Sequence, residues 1–346
     1  MEVCSHNEFD PNTILLKING TRCNLNCAYC SETKKEYHQS MCAKECAEII
    51  SSLPPSCDII LHGGEPLLNI HNVNAAIHAF RRESHGRKLS IQTNGYISQE
   101  IKQLLVENKD LLKIGVSIDG PYGKNSLRRG YDGESVFDTV DETISFLEHH
   151  NIDIKCIATV NHVSLSDPIE TLKYFLSHKN IKQVRFNPCF DVSGGGLDKH
   201  SISPSQFLEY LLKITEYWVL NRVYRRVRID PIQAEFESAI TSATKACMNC
   251  CKFISIYPGG EATICDALGV QKFKPNSFST IFDDAWEIFE DALHSPCMTC
   301  SDFSDCGGGC TAIFRRFKES EDLMHDYCNY RKKLKQSIRR IASELV

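Results

Sequence analysis

Three cysteines, Cys23, Cys27 and Cys30, stand in a C-x3-C-x2-C spacing within TRCNLNCAYC (residues 21–30), with Tyr29 directly before the third. Thiols this close together either pair as disulfides or bind metal. A disulfide framework belongs to small secreted domains, and the N-terminus lacks the charged and then apolar pattern of an export signal. Zinc is the usual partner of C-x2-C pairs, yet three thiolates do not close its four-coordinate structural site. An iron–sulfur cube held by three cysteines, with one iron left open to a small molecule, fits the count better. A second set runs CMNCCKFISIYPGGEATIC (247–265), CMTCSDFSDCGGGC (297–310) and Cys328. With 18 cysteines gathered mainly in these two places, two separate metal regions are the simplest account. Cys4, Cys42, Cys46, Cys57, Cys156 and Cys189 have no partner at ligand spacing and read mostly as small hydrophobes, with Cys189 kept as a candidate facing the cavity.

The elements that position the first trio follow from periodicity. β-rich runs occur at TILLKI (13–18), DIILHG (58–63), KLSIQT (88–93), KIGVSI (113–118), IKCIATV (154–160) and KQVRFN (182–187). Helical stretches such as CAKECAEIISSL, NVNAAIHAFRRE, SQEIKQLLVEN, ESVFDTVDETISFLEHH and PIETLKYFLSH alternate with them. This predicts βαβ units and a parallel sheet covered by helices. A complete eight-stranded barrel takes about 250 residues, so units spanning 13–187 predict an incomplete one, a partial (β/α)6 TIM barrel of the α/β class. The chemistry of such sheets sits at the C-terminal strand ends, where the trio falls directly after the first strand.

Composition narrows the partners. The 346 residues carry 39 basic and 44 acidic side chains, a formal charge of -5, which favours neither nucleic acid nor an anionic membrane. The basic run YRKKLKQSIRR (330–340) reads as a solvated helix face. No stretch approaches the roughly 18 apolar residues of a membrane span, and a soluble cytoplasmic protein is expected.

The trio, with an aromatic before its third cysteine, resembles the motif of radical S-adenosylmethionine (SAM) enzymes. The resemblance implies that the open iron is chelated by the amino and carboxylate groups of SAM. It extends to the other strand ends. HGGEPLL supplies Gly63, Gly64, Glu65 and Pro66, which in that family hold the SAM ammonium. QTNG supplies Thr93 and Asn94, and VSIDGP supplies Ser117 and Asp119 toward the ribose. Counting on from Pro121, the family's arginine for the SAM carboxylate falls on Arg129, preferred to Arg128, while its His-Asp pair is replaced by Asn125 and Ser126.

The C-terminal spacing is similar to the SPASM extension of radical SAM enzymes, which binds two auxiliary 4Fe-4S clusters. The resemblance then implies a barrel over residues 1–235 and a cysteine-rich SPASM domain over 236–346. It assigns Cys250, Cys265 and Cys310 to the inner auxiliary cluster, with Cys247 as the fourth ligand in competition with Cys251. Cys297, Cys300, Cys306 and Cys328 go to the outer one. With SAM and three clusters, the implied reaction makes a 5'-deoxyadenosyl radical and takes a hydrogen from an unactivated C–H bond. Asp266 resembles the catalytic aspartate of anaerobic sulfatase-maturing enzymes, the base for the departing proton.

Many SPASM enzymes modify peptides, so the expected substrate is a ribosomally made peptide or protein that is crosslinked or oxidised at a side chain. Oxidation or rearrangement of a small metabolite is the alternative. Few residues precede the first strand, so a peptide substrate is expected to need a separate leader-binding protein or recognition by the barrel itself. An electron donor such as flavodoxin or ferredoxin is the other implied partner. The segment DVSGGGLDKH (191–200) reads as a loop able to close over substrate.

Overall fold

The computed structural model describes residues 12–32, 38–84, 86–194, 196–241, 253–264, 273–281, 300–302 and 309–345. Strand and helix alternate through β1 (Thr13–Lys17), α1 (Ala43–Ser52), β2 (Asp58–His62), α2 (Ile70–Glu83), β3 (Leu89–Thr93), α3 (Gln99–Glu107), β4 (Leu112–Ser117), α4 (Phe137–His149), β5 (Ile154–Val160), α5 (Pro168–Ser177) and β6 (Ile181–Pro188). Each strand presents branched side chains such as Ile14, Leu16, Ile59, Leu61, Ile91, Ile114, Val116 and Val184, all buried. That pattern suits a parallel sheet.

Polar residues start the helices where the chain leaves the sheet. Ser98 accepts from Ile101 N to cap α3, and Asp167 accepts from Glu170 N to cap α5, whose first residue is Pro168. A proline there loses no helical hydrogen bond.

Beyond β6 come a short hairpin, β7 (Val192–Ser193) and β8 (Gly196–Leu197), then α6 (Pro204–Leu220), β9 (Arg228–Asp230), α7 (Ile232–Thr241), β10 (Phe253–Ile256) and β11 (Ala262–Thr263). The sheet has nine strands in the order β11-β10-β1-β2-β3-β4-β5-β6-β9. Every pairing is parallel except β10 with β11. The six expected strands thus form a consecutive parallel run, and the partial barrel gains β9 at one edge and β10 and β11 at the other. β10 lies in register with β1, Thr13 opposite Phe253 and Leu16 opposite Ile256, so the later part of the chain returns to the same sheet. The division expected at 235/236 falls inside α7.

Two further helices, α8 (Thr311–Phe317) and α9 (Glu321–Leu345), follow, and α9 packs on α6 and α7. Tyr330, Leu334 and Ile338, four residues apart, are buried, whereas Lys333, Arg339 and Arg340 of the basic run are exposed. The spacing puts one apolar stripe inward and the charges outward. Among the described residues no helix is long and apolar enough to cross a membrane.

Candidate functional site

The loop after β1 is built from its neighbours. Asn19 turns its amide onto the carbonyls of Glu65 and Pro66, at 3.0 and 2.9 Å. In return Gly64 N donates to Gly20 O at 2.9 Å and Glu65 N to Arg22 O at 2.8 Å. The glycine pair is required by this contact between backbones. A Cβ on Gly64 would stand 2.1 Å from Arg22 O, and one on Gly63, at φ +138°, 2.6 Å from Gly20 O. The approach that these glycines permit is therefore to the cysteine loop itself.

Glu65 ties two strand ends together. It is 1% exposed. Its Oε1 accepts from Thr93 Oγ1 at 2.8 Å and Leu67 N at 3.0 Å, and its Oε2 from Asn94 N at 2.7 Å. Pro66 begins the short turn that Glu65 caps. Asn94 reaches the cysteine loop directly, its Nδ2 donating to Asn24 Oδ1 at 2.8 Å and lying 3.5 Å from Cys23 Sγ. Asn24 Nδ2 donates to Tyr96 O at 2.7 Å.

The end of β4 holds the other side of the loop. Asp119 is buried; its Oδ2 accepts from Tyr29 OH at 2.5 Å and its Oδ1 from Thr159 N at 2.9 Å. Asn125 Oδ1 accepts from Asp119 N at 3.0 Å. Ser117 accepts from Gln92 Nε2 at 2.9 Å. The chain then passes beside the cysteines, Asn26 N donating to Arg129 O and Ala28 N to Leu127 O at 2.8 and 2.9 Å.

Adjacent residues of that extended segment face opposite ways. Arg128 is buried and donates from Nη1 to Tyr29 OH at 2.9 Å. Arg129 is exposed, its Nε donating to Ser126 O at 2.7 Å. The arginine chosen by counting is the one open to solvent, and its neighbour is the one packed against the motif.

The thiols of Cys23, Cys27 and Cys30 are partly buried. Desolvation pushes Cys23 up to about 11, against a hydrogen bond from Leu25 N that lowers it. Desolvation also raises Cys27, opposed first by the charge of Arg128. Iron binding would therefore displace protons from these groups. Among the described residues no three His, Cys, Asp or Glu side chains converge as the ligands of a single ion do. A cube takes each thiolate on a separate iron, and N–H donors toward sulfur, here from Leu25 and Asn94, are a usual feature of its sites.

The sequence profile of the Radical SAM superfamily matches residues 19–175. These residues form a radical SAM domain. The chain is 24% identical to the cysteine-type anaerobic sulfatase-maturating enzyme of Clostridium perfringens over 92% of its own length and 94% of that protein. It is 27% identical to the serine-type enzyme of Bacteroides thetaiotaomicron over 60% of this chain and 58% of that one. Among solved structures, native anSMEcpe with bound AdoMet superposes with a TM-score of 0.81 at 20% identity, covering 97% of this chain and all of that one. SuiB of Streptococcus suis bound to its precursor peptide SuiA gives 0.66 at 17% identity, covering 90% and 74%. At these identities the structures establish the fold, the partial barrel of radical SAM proteins.

Several residues that hold the motif were not singled out by spacing. Asn19, Asn24 and the inward Arg128 are the main ones. Lys17 is another: it closes β1 fully buried, 2.9 Å from Glu32 Oε2. A lysine among Thr, Ile and Leu in TILLKI was its sequence signal. Cys46, Cys57, Cys156 and Cys189 are buried, whereas Cys42 is exposed and caps α1 by accepting from Glu45 N. Cys189 Sγ lies 3.7 Å from Ser201 Oγ. The stretch 191–200 contains β7 and β8.

Of the C-terminal cysteines, Cys300 is exposed, and Cys310 and Cys328 are partly buried. Cys310 N donates to the hydroxyl of Tyr327, the residue before Cys328, at 2.9 Å. Cys4, Cys247, Cys250, Cys251, Cys265, Asp266, Cys297 and Cys306 lie outside the described residues.

Glu65 gives this site a pH signature. Desolvation pushes its carboxyl up to about 7 from 4.5, outweighing the hydrogen bonds from Asn94, Leu67 and Thr93. Between those values the folded chain keeps a proton that the unfolded chain has lost, so this contribution is complete below the lower value and declines as pH rises through the upper one. In metal-free protein the decline is on the order of 3 kcal/mol. Urea unfolding of wild type and Glu65→Gln from pH 4.5 to 8 should show the wild type losing stability relative to the variant as pH rises. Parallel profiles would refute the assignment.

Proposed function

We propose that this chain is a radical SAM enzyme that oxidatively modifies a side chain of a ribosomally made peptide or protein. The observation that carries this reading is the convergence of the strand ends of β2, β3 and β4 on the loop of Cys23, Cys27 and Cys30. When bound there, a 4Fe-4S cluster and SAM supply a 5'-deoxyadenosyl radical able to take hydrogen from a C–H bond. The chain's part is to bind, orient and keep water out.

In this reading Cys23, Cys27 and Cys30 ligate the cluster, and Gly63, Gly64, Glu65 and Pro66 form the wall that meets the SAM ammonium. Thr93, Asn94, Ser117 and Asp119 complete the pocket. Glu65 and Asp119 act chiefly as interior ties, since both are 1% exposed and engaged within the chain. Arg129, with its guanidinium at the open rim, is the partner for the SAM carboxylate.

Cys247, Cys250, Cys265 and Cys310 would hold one auxiliary cluster, and Cys297, Cys300, Cys306 and Cys328 the other. Their role is to accept the second electron of an oxidation, while Asp266 takes the proton. The peptide reading draws on the sulfatase-maturating relatives and on SuiB with its precursor peptide.

The test is anaerobically reconstituted protein given SAM, dithionite and a panel of Cys- and Ser-containing peptides. Besides a sulfatase-type peptide, the panel includes any short precursor encoded beside the gene. A SAM-dependent mass change in one peptide is expected. Formation of 5'-deoxyadenosine with every peptide unchanged, and turnover of a small metabolite instead, would refute the peptide reading in favour of the alternative.

A further inference from the structure

Arg128 occupies a place that the strand-end motifs do not explain. Its side chain is 8% exposed, and its Nη1 stands 2.9 Å from Tyr29 OH and 3.9 Å from Asp119 Oδ1. Tyr29 OH in turn donates to the second oxygen of Asp119. The Nε of Arg128 is buried and has no hydrogen-bond partner among the described residues. The backbone on either side is fixed: the carbonyls of Leu127 and Arg129 accept from Ala28 and Asn26, the residues that flank Cys27. The guanidinium is thus anchored against the middle of the cysteine loop, behind the tyrosine that separates Cys27 from Cys30.

Such a charge is expensive to bury. A guanidinium does not lose its proton in a protein, and desolvating it costs several kcal/mol unless well-placed anions repay the loss. Asp119 is its only carboxylate within 4 Å among the described ion pairs, and that contact is long and shared with Tyr29 and Thr159. Asp119 therefore accounts for only part of what this charge could balance. An oxidised cube held by three thiolates is already a net anion, and reduction adds one more negative charge in surroundings of low dielectric.

We propose that Arg128 is the fixed counter-charge of the cluster at Cys23, Cys27 and Cys30 and raises its reduction potential, with Tyr29 and Asp119 positioning the guanidinium. The proposal rests on the reading that this trio holds an iron–sulfur cluster. It assigns Arg128 no contact with SAM or with the reacting atoms. Its effect is on how readily the first electron enters. Asp119 acts in the opposite sense through its own charge, while its hydrogen bond keeps Tyr29 and hence Arg128 in place.

The experiment is a redox titration, followed by electron paramagnetic resonance, of the full-length reconstituted chain as wild type, Arg128→Met, Arg128→Lys and Asp119→Asn. The signal that SAM addition perturbs identifies the cluster concerned, and iron and sulfide analysis shows that each variant is loaded. In Arg128→Met the ratio of reduced to oxidised cluster at a fixed potential should fall about tenfold or more, equivalent to about 59 mV for a one-electron couple. Arg128→Lys, which keeps the charge, should recover most of the shift, and Asp119→Asn should move the potential the other way. A purely structural arginine predicts the wild-type potential in loaded Arg128→Met, and that result would overturn the proposal. If Arg128→Met does not take up iron, the equally neutral Arg128→Gln decides: a shift to more negative values supports the proposal and an unchanged value overturns it. A wild-type chain that takes up no iron overturns the cluster reading along with it, whereas unchanged potentials in loaded variants overturn only the role of Arg128.

Discussion

Replacing Cys27 by alanine is expected to abolish reductive cleavage of SAM while leaving the fold intact. Cys27 is the middle residue of the trio, and the backbone around it is held independently of its thiol by Asn26 N to Arg129 O and Ala28 N to Leu127 O. Two thiolates remain, too few to retain a cube, so the variant should lose about a cluster's worth of iron and keep whatever the C-terminal cysteines bind. Because the cofactor carries the hard chemistry, 5'-deoxyadenosine formation should drop by more than about 10³-fold. Circular dichroism and iron analysis on the same preparation separate this from unfolding. Cleavage at the wild-type rate would remove the trio from the reaction.

Gly64→Ala should be the most damaging substitution of a small residue for a small one in the barrel. Its methyl group would lie 2.1 Å from Arg22 O and 2.5 Å from Thr21 O, both backbone atoms that cannot rotate away. Relief requires pulling the β2 turn from the cysteine loop, which breaks the hydrogen bonds Gly64 N to Gly20 O and Glu65 N to Arg22 O. Overpacking together with these losses should destabilise the metal-free chain by more than about 3 kcal/mol. The variant should also take up less iron, since the loop that presents Cys23 is displaced. Gly123→Ala is the control. A Cβ there meets nothing within 4 Å, and its change should stay within about 0.5 kcal/mol. Equal melting temperatures for the two variants would contradict the account of why Gly64 is glycine.

The sequence made most of this sheet legible because each strand keeps an apolar, buried face. TILLKI, DIILHG and IKCIATV are rich in branched apolar residues that need a core, and each falls on a strand of the structure. The edges were harder. β9 is three residues long, too short for a period to register, and β10 reaches β1 from the far end of the chain, which local patterning cannot convey. The stretch 191–200 was read from its glycines as a loop, whereas two-residue strands pair across it.

At the site, residue types were readable but directions were not. Asn94 and Asp119 fall beside the cysteine loop, as strand ends require. Which of Arg128 and Arg129 turns inward depends on the pleat of an extended segment pinned to residues 26 and 28, a register that exists only after folding. The ligand-bearing role expected of Gly63 and Gly64 likewise hid their contact with the backbone of residues 20–22, since spacing says nothing about which surface a glycine approaches.

The central claim is that Cys23, Cys27 and Cys30 carry an iron–sulfur cluster that cleaves SAM. Iron and acid-labile sulfide should be measured on anaerobically reconstituted protein, together with 5'-deoxyadenosine formed from SAM and dithionite. The account predicts iron and sulfide in equal amounts, SAM turnover in the wild type, and no turnover once Cys27 is alanine. A colourless protein that contains zinc and leaves SAM intact would contradict it.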